Sequence, residues 1–164
     1  MKTKRKNKII LFGLLAMVCI ITPMLAQGKS TKIVFEGETV TSLFQPLEVW
    51  FEEDVMHIKF YKEATAYGAI DGIGFTGHLE LNFYAKIFPS GDLVGHGTVT
   101  YYIDWNGLSG YFYGIANGKK VDGVMDVKLV LQGFGDYAGW KLFADEWAID
   151  GITNGQAGTV LIPN

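Results

Sequence analysis

Hydrophobic and polar residues alternate with a period of two along most of the chain after residue 30. This alternation sends successive side chains to opposite faces of an extended backbone, so it predicts β-strands. The stretch 78–87 is the clearest example, because Leu79, Leu81, Phe83, Ala85 and Ile87 are separated by single polar or amphipathic residues. In 32–162 no long segment follows the helical period, and we expect no helix there.

Short runs of turn-forming residues divide this region into strands. The strongest hairpin signal is Asn106-Gly107, since both residues tolerate the positive φ of a type I′ turn. Glu53-Asp54, 89–92, Asn117-Gly118 and Asn154-Gly155 are also predicted turns. The resulting strand candidates are 32–35, 39–44, 47–52, 55–61, 75–88, 93–105, 108–116, 121–132, 140–152 and 158–162.

The predicted fold is all-β: a single antiparallel up-and-down β-barrel of about 8–10 strands. Long neighbouring strands joined by tight turns favour it, and closure removes exposed strand edges. Glycines inside strands, such as Gly95, Gly97 and Gly123, suit sharp coiling. Because a sequence does not show closure, a β-sandwich is the alternative. The barrel is expected to occupy 27–164 as one domain.

Residues 1–26 have the pattern of a secretory signal peptide, expected as a short N-terminal helix. Five basic residues precede the apolar run 9–21, Pro23 breaks that run, and Ala26 offers a cleavage point. A retained membrane anchor is the less favoured alternative. We therefore expect a secreted or otherwise extracytoplasmic protein. The only cysteine, Cys19, lies in the leader, so the mature chain has no thiol for a disulfide, a nucleophile or a metal ligand.

The mature chain is acidic, with nine lysines, no arginine and 17 acidic residues, a net charge of −8. Nucleic-acid and phosphate recognition depend on clustered cations, especially guanidinium groups, so neither partner is expected. Attraction to anionic lipid surfaces is disfavoured for the same reason. The last strand ends Leu161-Ile162-Pro163-Asn164 without a terminal aromatic anchor, and the mature domain is not expected to span a membrane.

The glycine-spaced segments Gly95-His96-Gly97 and 133–139, with their β-rich surroundings, resemble the allene oxide cyclase-like barrel group. That group is similar to calycins in forming small closed barrels with an apolar interior. The resemblance covers roughly the C-terminal half of the chain and implies a fold. It transfers no catalytic residue, and the early Gly-x-Trp motif of lipocalins is missing.

Two sequence patterns that could bind a cofactor or metal have simpler explanations. Gly72 to Gly77 has dinucleotide-loop spacing, but the residues after it alternate as a strand, whereas that loop requires a following helix. A hairpin centred between Ser90 and Gly91 places His78 opposite Ile103 and His96 opposite Ala85, about 23 Å apart. They cannot share an ion across that hairpin, and His57 has no assigned partner. No cofactor and no metal site are predicted.

Aromatic residues are the remaining functional signal, with ten Phe, eight Tyr and four Trp in 27–164. Most are expected to fill the core, but some could line an apolar cavity or form an external stacking platform. The preferred hypothesis is an exported, non-catalytic barrel that binds a small apolar or aromatic ligand. The alternatives are a barrel isomerase or cyclase, and a carbohydrate-binding or surface-interaction module. The predicted ligand-binding residues are Tyr101, Trp105, Tyr111, Tyr113, Trp140 and Trp147.

Overall fold

The computed structural model describes residues 29–148 and 152–164, so the predicted signal peptide 1–26 lies outside the described residues. Eight strands make up the described chain. They are β1 (Ser30–Glu52), β2 (Val55–Ile70), β3 (Ile73–Ile87), β4 (Leu93–Trp105), β5 (Leu108–Val121), β6 (Val124–Gly135), β7 (Lys141–Ala148) and β8 (Thr153–Pro163).

The strands form a closed barrel in chain order, and consecutive strands pair antiparallel. The predicted up-and-down barrel is therefore confirmed, and the sandwich alternative is wrong because one sheet closes on itself. We call the end with connections 53–54, 88–92 and 122–123 the mouth end. The opposite base end has connections 71–72, 106–107 and 136–140. Among the described residues no helix is long and apolar enough to cross a bilayer.

Turn chemistry explains the hairpin positions. Asn106 and Gly107 have φ values of 50° and 78°, which confirms the predicted type I′ turn. The turn predicted at Asn117-Gly118 is wrong, because β5 runs on to Asp122-Gly123, where φ is 52° and 83°. Gly118 instead allows the ring of Phe83 to pack against β5, since a Cβ there would lie 3.0 Å from that ring.

The turn predicted at Asn154-Gly155 is also wrong, because both residues lie within β8. A Cβ on Gly155 would lie 2.5 Å from the indole of Trp147. This glycine lets the large ring lie against the strand. An Asn-Gly dipeptide is thus equally compatible with a turn and with a glycine held for close ring contact.

Strand β1 joins three segments that the sequence predicts as separate strands, 32–35, 39–44 and 47–52. Register shifts between Thr41 and Leu43 and between Pro46 and Glu48 accommodate the irregular positions. Proline is tolerated where a strand bulges, so β1 continues through Pro46 to Glu52. This merging reduces the ten predicted segments to eight strands.

The β3–β4 register differs by one residue from the predicted one. His78 pairs with Tyr102 and His96 with Tyr84, where Ile103 and Ala85 were expected. The connection between the strands spans the five residues 88–92, with Gly91 at φ 86°, so the hairpin centres on Ser90. An odd-length loop moves the centre by half a residue and changes every cross-strand pair.

Aromatic side chains fill the base-end half of the barrel. Phe35 stacks on Phe75 with centroids 5.4 Å apart, and Tyr101 meets Phe35 edge to face at 6.1 Å. Tyr137, from the β6–β7 connection, is fully buried and stacks on Phe112 at 5.0 Å. Its hydroxyl lies 3.1 Å from the carbonyl oxygens of Ile103 and Leu108 and donates to them. The 136–140 connection thus closes the base end as a plug.

Candidate functional site

The mouth-end half of the barrel encloses a cavity of about 520 Å³. Its wall is mainly apolar and comes from the inward positions of several strands. The residues that line it include Phe60, Leu81, Phe83, Ala116, Met125 and Leu129. A space of this size lies within the range typical of small-molecule sites.

Glycines on β4 and β5 explain why this half of the lumen stays open. The ring of Phe83 on β3 lies where a Cβ on Gly95, Gly97 or Gly118 would come within 2.3, 2.9 and 3.0 Å of its carbon atoms. With hydrogen in place of Cβ, the backbone leaves room for the ring to lie along the barrel wall. A larger residue at these positions would push the ring across the lumen.

Two oppositely charged side chains line the cavity. Lys62 Nζ lies 3.7 Å from Glu146 Oε1, and each side chain is only 11% exposed. Gln156 Nε2 donates to Glu146 Oε2 at 2.7 Å, and Tyr101 Oη donates to Gln156 Oε1 at 3.0 Å. Gln156 and Tyr101 are fully buried, so this network leads from the cavity into the packed core.

Sequence reasoning missed Lys62 and Glu146. Both occupy inward positions of their strands: Lys62 follows the phase of Phe60 and Ala64, and Glu146 that of Leu142 and Ala144. A charged residue at an inward position is uncommon, because burial of an unpaired charge is costly. That break in the alternation is the signal that could have identified them.

Burial raises the pKa of two interior phenols. For Tyr101 the main cause is loss of hydration, with a smaller contribution from the Glu146 charge. Burial, followed by the Asp104 charge, raises the pKa of Tyr137 to about 12. Both groups are therefore neutral in the folded barrel at physiological pH, as suits their role as hydrogen-bond donors.

The raised pKa of Tyr137 predicts a loss of stability in alkali. A phenol with an unfolded pKa of about 10 ionises more easily in the unfolded chain, so stability falls as pH rises from about 10 to 12. We expect Tyr137→Phe to be less sensitive than the parent chain by about 1–2 kcal/mol across that window. Urea denaturation of both proteins at several pH values measures this, and equal losses would contradict the buried, neutral phenol.

Three of the predicted ligand-binding residues lie in the packed part of the barrel. Tyr101 is in the core and bonded to Gln156. Trp105 contacts Trp140 at a centroid distance of 6.0 Å, and Trp140 packs on Tyr137 at 5.3 Å. These indoles belong to the plug at the base end and are not among the side chains that line the cavity.

The other three lie nearer the surface. Tyr111 and Tyr113 are exposed on the barrel exterior. Tyr111 stacks on Phe134, with ring centroids 5.0 Å apart and an interplanar angle of 12°, and its ring also contacts Tyr102. A sugar-stacking platform requires a free ring face, so this packing disfavours one at Tyr111. Trp147 is also exposed, and it is one of the residues that line the cavity.

A second cluster of titratable groups lies on the outer surface near the mouth end. His57 is 2% exposed and lies beneath Trp50, with ring centroids 5.0 Å apart. Its Nδ1 is 2.6 Å from Tyr84 Oη, and its Nε2 is 3.4 Å from Glu52 Oε2. Both ring nitrogens are thus engaged with the protein. Within 29–148 and 152–164, no three or more His, Cys, Asp or Glu side chains are grouped to hold a metal ion.

Comparison with known proteins gives no family. No protein-family model and no curated protein matches the chain. The resemblance to the allene oxide cyclase-like group therefore stays a prediction, although the barrel it implied is present.

Proposed function

We propose that this protein is an exported barrel that binds a small apolar molecule in the mouth-end cavity. The single observation that supports this most is the contrast between the two halves of the lumen. The base-end half is filled by side chains, whereas the mouth-end half holds a space of about 520 Å³ with mostly apolar walls. An apolar ligand entering that space would bury its own surface and the wall together.

Exposed apolar side chains near the mouth end support entry of such a ligand there. Val121 and Val124 flank the β5–β6 turn, and Val124 is 70% exposed. Ile152 lines the cavity and is also exposed. Apolar groups at an entrance lower the cost of transferring an apolar molecule from water.

Blocking the cavity is expected to abolish binding. Ala116 is fully buried on β5 and lines the cavity, so the ring in Ala116→Phe would occupy ligand space. We expect at least tenfold weaker binding of 1-aminoanthracene, a neutral fluorescent probe, because the added ring excludes much of its contact area. The matched control is Asn117→Phe, which places the same ring on the exterior of the same strand.

The titration uses the full chain and follows probe fluorescence, with circular dichroism showing that both variants are folded. Binding by the parent chain and by Asn117→Phe, but not by Ala116→Phe, supports the cavity. Equal binding by all three proteins would place the probe elsewhere. A response to a polysaccharide such as laminarin, without probe binding, would favour the carbohydrate-binding alternative.

Export is part of the proposal and depends on the signal-peptide pattern of residues 1–26. The enzyme alternative uses the same cavity, and turnover that is lost on substitution of one polar lining residue would favour it. Non-covalent binding requires only the cavity and its apolar wall, which is why binding is the preferred function.

A further inference from the structure

We propose that the ligand of this cavity is an amphiphile whose anionic head group is bound by Lys62, with its apolar tail directed to the mouth end. This inference depends on the proposed function, since it concerns the same cavity. It adds the chemical class of the ligand and the direction in which the ligand lies.

Lys62 has hydrogen-bonding capacity that the described chain does not use. Its ammonium group can donate three hydrogen bonds. Its only close polar partner among the described residues is Glu146 Oε1 at 3.7 Å, which is too long for a hydrogen bond. The Lys62 side chain is only 11% exposed and lines the cavity, so an acceptor supplied by a ligand in the cavity would be favoured.

Glu146 does not fully compensate Lys62. Its Oε2 accepts a 2.7 Å hydrogen bond from Gln156, and Gln156 is in turn held by Tyr101. This network fixes the carboxylate toward the packed core. Lys62 therefore keeps donors for an oxygen atom that enters from the cavity side.

The charge of the described lining favours an anion over a cation. Its lysines and carboxylates are Lys62, Lys120 and Glu146, a net charge of +1. One negative head group would neutralise this charge, whereas an ammonium head group would add to it. Inside a cavity of low polarity such a difference is larger than in water.

The order of polar and apolar residues sets the direction. The Lys62–Glu146 pair joins the cavity to the buried Gln156 and Tyr101, while Val121, Val124 and Ile152 lie near the mouth end. The other lining lysine, Lys120, also lies near the mouth end, so Lys62 is the inner of the two cations. A head group at Lys62 and a tail along Phe60, Phe83 and Met125 match this order. The opposite direction would bring the tail against the charged pair and leave the ammonium without an acceptor.

Three probes of equal chain length test the head group: decanoate, 1-decanol and decylamine, each competing with 1-aminoanthracene for the full chain. At about pH 8 decanoate carries a negative charge, decylamine carries a positive charge and 1-decanol is neutral. We expect decanoate to bind about ten to a hundredfold more tightly than 1-decanol, the range for a charge-assisted hydrogen bond. Decylamine should bind most weakly.

Two variants separate ligand binding from a structural ion pair. Glu146→Gln frees Lys62 from its competing carboxylate, and we expect decanoate to bind several-fold more tightly while 1-decanol is unchanged. Lys62→Met combined with Glu146→Gln removes both charges, avoids an orphaned carboxylate, and should reduce decanoate to the affinity of 1-decanol. Lys119→Met is the matched control, because Lys119 lies on the exterior of β5 beside Asp126.

The outcomes distinguish the two proposals. If 1-decanol displaces the probe but decanoate is no better, the head-group inference is overturned and the cavity function stands. If no decyl compound binds and 1-aminoanthracene does not bind either, the cavity function itself fails. Weaker decanoate binding by Glu146→Gln would mean that the Lys62–Glu146 pair only stabilises the fold, and it would overturn the inference.

Discussion

Tyr137→Ala is expected to destabilise the barrel by about 3–5 kcal/mol, the range for removing a large buried aromatic side chain. The substitution removes the plug at the base end. It deletes the ring that stacks on Phe112 and contacts Trp140 at a tilt, and it leaves the carbonyl oxygens of Ile103 and Leu108 without their donor. Urea denaturation at neutral pH measures the effect.

The matched control is Tyr113→Ala, which removes the same side chain from an exposed position on the barrel exterior. Surface substitutions of this kind usually change stability by about 0.5 kcal/mol. A loss at Tyr137 no greater than at Tyr113 would mean that the 136–140 connection does not seal the base end.

A single methyl group at Gly97 is expected to cost about 3 kcal/mol, at the upper end for overpacking. A Cβ there would lie 2.1 Å from the carbonyl oxygen of Asn82 and 2.8 Å from Cα of Phe83. These are backbone atoms of the paired strand, so the β3–β4 ladder itself would have to move. Thermal or urea denaturation of Gly97→Ala gives the free energy of unfolding.

Gly74→Ala is the internal comparison, because the nearest atom to its added Cβ is 3.9 Å away. Its φ is not positive, so alanine fits the backbone and reduces the entropy of the unfolded chain. We expect this variant to be as stable as the parent chain or slightly more stable. Equal losses at the two glycines would contradict the close approach of β3 and β4.

The barrel was predictable because its signals are local. Alternation in 78–87 and the Asn106-Gly107 dipeptide each depend on a few neighbouring residues, and both have the expected structure. Turn positions were harder to predict where two dipeptides that are compatible with a turn lie close together in the sequence. Asn117-Gly118 and Asp122-Gly123 are both compatible with a turn, and Phe83 on another strand decides that Gly118 stays in β5.

The cavity was not predictable because it depends on cross-strand register. The predicted hairpin centre pairs Phe83 with Thr98, whereas the structure pairs it with Gly97. In the predicted register Thr98 would share the face of Phe83, and its side chain would occupy the space that Gly97 leaves for the ring. An error of half a residue in the predicted centre of the 88–92 loop therefore hid the pairing of Phe83 with Gly97, which keeps the lumen open.

The candidate site was predictable only in part. Aromatic content led to six predicted ligand-binding residues, of which Trp147 lines the cavity. Aromatic side chains are common in β cores and on sheet surfaces, so their number does not separate packing from binding. The inward phase of Lys62 and Glu146 was the more specific signal, but pairing the two required the closed barrel.

We propose above all that small apolar molecules bind inside the mouth-end half of the barrel. Methionine methyl NMR tests it most directly, because Met125 lines the cavity and Met56, near the β1–β2 hairpin, is not among its lining residues. With ¹³C-methyl methionine in the full chain, titration with 1-decanol should shift and saturate the Met125 signal while Met56 changes little. A Met125 signal that stays fixed while 1-decanol binds would contradict binding inside the cavity.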